Sequence, residues 1–130
     1  MLNNKGQSLI LFVIVLPVLL LIAIFVIDMG RVIVKEQELN NISNIVLDYG
    51  LDNLDKVDIS NELQELVKLN NSEIDEINVF VEDNKIKLKL KDNVDGIFSN
   101  LINISIFNVK SSYVGYFENQ NKKIEKLVGD

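Results

Sequence analysis

Residues 9–27 read LILFVIVLPVLLLIAIFVI, a run without a single charged side chain. As a helix rising about 1.5 Å per residue, it is about 28 Å long, which matches the roughly 30 Å hydrocarbon core of a bilayer. Its Leu, Ile, Val and Phe side chains together favour insertion by about 6 kcal/mol before Pro17 is counted against them. The segment is therefore read as a membrane-spanning helix, and that reading organises everything on either side of it. Pro17, near its centre, removes one helix hydrogen bond and is expected to kink it, a feature that membrane helices tolerate better than soluble ones.

Before this run the only charged side chain is Lys5, and the next is Asp28. A cleaved secretory signal peptide also starts with a short basic stretch and an apolar one. Two features speak against it. The run exceeds the usual h-region, and no small-x-small site closes it, Ala23 being its only alanine. The expectation is an uncleaved signal anchor. Arg31 and Lys35 nearly balance Lys5 and the α-amino group, so the short head and the large acidic remainder decide the orientation. This gives a single-pass cell-membrane protein with a cytoplasmic leader at 1–8, the span at 9–27, an extracytoplasmic stalk helix at 28–57 and an extracytoplasmic head at 58–130. Asp28, Gly30 and Arg31 form a membrane-exit motif. They act either as an interfacial anchor, with Arg31 snorkelling, or as charges that pair with a neighbouring copy and set its register.

The chain has 130 residues and a net charge of −6, with neither cysteine nor histidine. An acidic domain is repelled by phosphate backbones, so nucleic acid is excluded as a partner. Without Cys and His there are no disulfides, no thiolate or ordinary zinc sites, and no Ser-His or Cys-His nucleophile. A carboxylate-only hydrolase would need two acids converging in a cleft. The chain is accordingly read as a non-enzyme, with no catalytic residue, no cofactor, no metal and no small-molecule substrate. Asp48, Asp52, Asp55 and Asp58 lack the glycine and terminal glutamate of a calcium loop and read as a solvated acidic face.

Beyond the span, Leu39, Ile42, Val46 and Tyr49 recur at spacings of three, four and three, so the helix is expected to continue as a stalk to about Gly50. A second helix follows at about 59–69, with Asp58 or Ser60 as N-cap and Leu63, Leu66 and Val67 facing inward. The period then changes to two. Ile77, Val79 and Val81, and after them Ile86, Leu88 and Leu90, alternate with polar residues around Asp83-Asn84, which predicts a β-hairpin. Lys85, Lys87, Lys89 and Lys91 line its other face, either keeping a sheet surface soluble or docking an acidic partner. A helical turn over 95–101, then a third strand or bent pair within ISIFNVKSSYVGYF (104–117), precede a polar tail. The fold class is α+β: a long N-terminal transmembrane and stalk helix, then a small antiparallel sheet head with one or two short helices.

The N-terminal residues KGQSLILFVIVLP, followed by IDMGRVIVKEQELNNISNIVLDYG, resemble the TadE/TadG-like proteins, the pilin-like components of tight-adherence (Flp) pilus systems. The likeness covers about the first 50 residues. It rests on the glycine before the apolar run, the proline within it, the Asp-x-Gly-Arg at its exit, and Leu39 and Asn40 beyond. The resemblance implies a pilin-like fold and cleavage by a prepilin peptidase between Gly6 and Gln7, which leaves a bare apolar helix that bundles with others. It also implies as partners the membrane, other pilin-like subunits and pilus-assembly or secretion proteins, and a setting at the bacterial cell surface. Where such proteins carry a glutamate at the fifth mature position, this chain has Leu11, which points to a TadG-like, minor or initiating subunit. The resulting expectation is a minor pilin or pseudopilin-like component of an Flp pilus or a type II/IV-like secretion machine. The alternative is a membrane-anchored extracytoplasmic interaction module that never enters a filament.

Overall fold

A computed structural model of the chain describes residues 4–101 and 108–128. It opens with one continuous helix, α1 (Asn4–Asp52), with Pro17 inside it. At about 1.5 Å per residue this helix is on the order of 74 Å long. Its two halves meet different surroundings. Residues 9–23 are exposed along their whole length, while Leu39, Ile42, Val46, Leu47 and Leu51 are buried. The stalk helix expected over 28–57 packs into the head. Its helix ends at Asp52, and its buried side chains are the spine on which the head is built.

A turn leads into α2 (Ile59–Asn70), whose Ile59, Leu63 and Val67 are buried and whose Leu66 is half-buried. Asp58 occupies the N-cap position without capping through its side chain; its carboxylate accepts from Asn61 Nδ2 at 2.8 Å. Four strands follow: β1 (Glu76–Glu82), β2 (Lys85–Asn93), β3 (Asn108–Glu118) and β4 (Asn121–Lys126), with the short helix α3 (Ile97–Leu101) between β2 and β3. The sheet order is β1-β2-β3-β4, antiparallel throughout. The first hairpin pairs Ile77 with Leu90 and Glu82 with Lys85 around Asp83-Asn84. Both turn residues have positive φ, 39° and 67°, as a two-residue turn matched to strand twist requires.

The C-terminal part settles one alternative and corrects one expectation. Over the described part of 104–117 there is a single strand rather than a bent pair, beginning at Asn108; residues 104–107 lie outside the described residues. The polar tail is no tail but β4. It is reached through Asn119-Gln120, again with positive φ at both positions, and it pairs Tyr113 with Lys126 and Glu118 with Asn121.

The inward face of the sheet contributes Ile86, Leu88, Leu90 and Val109, with Tyr113 and Ile124 partly buried, and α1 and α2 cover it. Close approach is set by two glycines. A Cβ on Gly50 would lie 2.7 Å from Ile86 Cδ1 and 3.1 Å from both Leu63 methyls, and one on Gly115 would lie 3.2 Å from Leu51 Cδ1. Ser43 and Ser111, both buried, meet across the helix-sheet seam at 3.1 Å, and the Ser111 hydroxyl donates to Asn40 Oδ1 at 2.9 Å.

Candidate functional site

Three surfaces are left over once the core is built: the apolar half of α1, its exit into the head, and the outer face of the sheet. Gly6 and Gln7 lie in the first turn of α1, with Gln7 exposed. Pro17 is exposed in the middle of the apolar stretch, and Leu11 shares that exposed cylinder. Among the described residues this is the one helix long and apolar enough to cross a membrane. Apolar side chains exposed all round a helix of this length find their partners outside the chain, in lipid or in other helices.

The exit is the most organised of the three. Asp28, one residue past the apolar run, is 0% exposed. Its carboxylate accepts two backbone N–H groups at the start of α3, from Ile97 to Oδ1 at 2.8 Å and from Phe98 to Oδ2 at 2.6 Å. One turn earlier, the Phe25 ring meets Phe98 edge-on, with centroids 6.0 Å apart and planes at 82°. On the next turn, Arg31 Nη1 donates to the Asp95 carbonyl at 3.2 Å. Arg31 and Asp28, opposite charges at helical spacing, are thus both engaged by the segment preceding and opening α3. No sequence signal pairs Asp28 with residues about seventy positions away, so the reading of Asp28 as an interfacial end-stop or as a partner for a second copy missed this contact. Gly30 behaves differently. A Cβ built there would meet nothing within 4 Å, so internal packing does not demand glycine. It lies in an open groove of about 530 Å³ with Ile27, Arg31, Val34, Lys35, Glu38 and Val94.

Above the exit, Lys35 reaches Asp92 Oδ2 at 3.2 Å and Glu38 Oε2 at 3.3 Å, and Asn71 Nδ2 donates to Glu38 at 2.8 Å. This chain of contacts ties α1 to β2 and to the end of α2. Burial works against the charge on Lys35, but its hydrogen bonds to Asp92 and Glu38 and their negative charges outweigh it and hold the ammonium above its ordinary 10.5. Farther along, Lys122 pairs with Asp52 at 2.6 Å and Asp48 at 3.1 Å, and Lys126 with Glu36 at 3.2 Å. Two of the four aspartates read as a solvated acidic face therefore hold β4 to α1.

The outer sheet face carries the lysine row. The cross-strand pairs set Lys91 opposite Glu76, Lys87 opposite Phe80 and Lys85 opposite Glu82. Lys91 reaches Glu76 at 3.4 Å, and Lys85 Nζ sits 5.7 Å from the centre of the Tyr116 ring. Phe80, Glu82, Asp83, Lys85, Lys87 and Lys89 border a groove of about 630 Å³.

The fold and these surfaces define a class: an α+β head built on the C-terminal half of one long helix whose N-terminal half is a candidate membrane span. Residues 6–44 match the sequence model of a family described as TadE-like protein. The matched stretch lies wholly on α1, from its first turns through the exit to the entry into the head core, and includes no strand. No curated protein and no solved structure matches the chain. The likeness is therefore to the candidate span and its continuation into the head, and not to the sheet.

Proposed function

We propose that the chain is a non-catalytic structural subunit of a Flp-type pilus or related secretion machine, of the minor-pilin or pseudopilin class. The observation that carries this reading is the placement of the matched segment. Residues 6–44 coincide with a helix whose first half offers an all-round apolar surface to its surroundings and whose second half is the spine of the head. The same rigid rod can stand in a bilayer or pack among like helices without changing the head it carries. Gly30, which nothing inside the chain requires, leaves a small-residue approach on the rod beside Ile27 and Val34 for a neighbouring helix. The prepilin peptidase would cut after Gly6 and remove the Lys5 charge, which eases passage of the helix from lipid into a packed assembly. The head then faces outward, with the N-terminus on the cytoplasmic side.

A second reading is favoured by one residue. Leu11 stands where a glutamate would offer a neighbour's terminal amine a partner, and leucine is easier to insert in lipid by roughly 3 kcal/mol. An uncleaved anchor displaying the lysine-lined sheet face to an acidic envelope protein would suit that substitution. The two readings separate on intact mass and N-terminal sequencing of the membrane-extracted protein, produced with and without its host's prepilin peptidase. A new terminus at Gln7 only in the presence of the peptidase is the expected result. A chain that keeps Lys5 in both samples would overturn processing and leave the anchored module.

A further inference from the structure

The apolar surface of the molecule does not stop where the run of residues 9–27 stops. Phe25, Val26 and Ile27 carry it, exposed, to the level of Asp28, and there α3 continues it sideways. Successive turns of α1 hold this five-residue helix: the Phe25 ring against Phe98, the Asp28 carboxylate on the Ile97 and Phe98 amides, and Arg31 on the Asp95 carbonyl. Beyond these contacts α3 exposes two apolar side chains, Ile97 at 38% and Leu101 at 65%, with the polar Asn100 beside them. Asp28, at this level, is wholly covered and satisfied by backbone amides, while Asp95, just ahead of α3, is exposed on the side of the head.

We propose that α3 is a membrane-contact element, seating Ile97 and Leu101 in the interfacial layer of the bilayer that α1 spans. The head, and α1 with it, is thereby held at one tilt to the lipid surface. The inference rests on the reading of 9–27 as a span. From there it follows by continuity: Phe98 touches Phe25, Phe25 belongs to the apolar run, and an element packed on the last turn of an inserted helix lies at the edge of the bilayer. Two apolar side chains would bind a membrane weakly on their own, but α1 already holds α3 at that depth, so little further ordering opposes the contact. Lipid rather than a second copy is the occupant because lipid is present wherever Phe25 is inserted.

The chain contains no tryptophan, so single substitutions report one place each. Leu101→Trp, Phe12→Trp and Val57→Trp are made in the full chain and reconstituted in phosphatidylcholine vesicles with lipids brominated at a shallow or a deep acyl position. All three sites are exposed, and Val57, 104% exposed beyond the far end of α1, serves as the water reference. Tryptophan at 101 is expected to emit to the blue of that at 57 and to be quenched about twofold or more by shallow bromines, with 57 unaffected and 12, about 9 Å from the centre of the span, quenched as well. Quenching at 12 without quenching at 101 would overturn the proposal while leaving the span intact. A blue but unquenched residue 101 would in that case assign the surface to a neighbouring copy. Absence of quenching at 12 would remove the span and the proposal together.

Discussion

Asp28 shows how a single side chain is used at a phase boundary. A carboxylate one residue beyond an apolar run would ordinarily seek water, yet here two backbone amides replace it at 2.8 and 2.6 Å. Asp28→Ala leaves both N–H groups without an acceptor in a partly buried place, a loss of about 1–3 kcal/mol. The expected outcome is local. Amide exchange at Ile97 and Phe98 should quicken about tenfold to a hundredfold, while that of β2 and β3 changes little. Lys35 makes a prediction of opposite character. Its pKa is raised on folding despite burial, because Asp92 and Glu38 hold the charged form. A raised native value means that the stabilisation is fully present below the unfolded value of 10.5 and is lost as pH climbs through the higher native value. The denaturation midpoint of the wild-type chain should accordingly fall more steeply above about pH 10.5 than that of Lys35→Met. Parallel curves for the two proteins would show that the pair does not couple to folding.

At the scale of elements, the head is a meander laid on one helix and clamped at its far end. Gly50 marks the clamp, where α1, α2 and β2 come closest: the atoms of Ile86 and Leu63 occupy the space of a side chain there. Gly50→Val should cost about 1–3 kcal/mol by overpacking, since only the side-chain tips of those residues can give way. In a domain of this size that is a drop in melting temperature of at least several degrees, read by circular dichroism in detergent. Gly30→Val, where nothing lies within 4 Å, should leave the melting temperature unchanged and thus separates internal packing from any role in assembly. The hairpin around Asp83-Asn84 and the second helix were legible in sequence because a period-two or period-3.6 pattern and a turn are local signals. β4 was not legible: NKKIEK holds a single apolar residue, Ile124, so its alternation carries no information. It is a strand because β3 presents an edge of backbone groups to it, and because Lys122 and Lys126 find Asp48, Asp52 and Glu36 across on α1.

For the whole molecule, the division of labour runs along α1. All of the buried apolar core among the described residues begins at Leu39, so a fragment starting at Asp28 retains it, together with the Asp28 carboxylate. Such a fragment should be soluble, sediment as a monomer and unfold cooperatively, whereas the full chain requires detergent or lipid. A fragment that aggregates or lacks a cooperative transition would mean that the apolar half of α1 contributes to the head as well as to its anchoring. The sequence by itself determined the candidate span, the continuation of that helix, the first hairpin and the α+β class, because each is written in the spacing of neighbouring residues. Tertiary structure alone decided which distant residues the stalk meets, that the last polar residues form a strand, and that Asp28 ends its search for a partner at α3. Those outcomes depend on contacts between residues up to 90 positions apart, such as Lys126 with Glu36, and no local periodicity records which distant backbone or charge a side chain will meet.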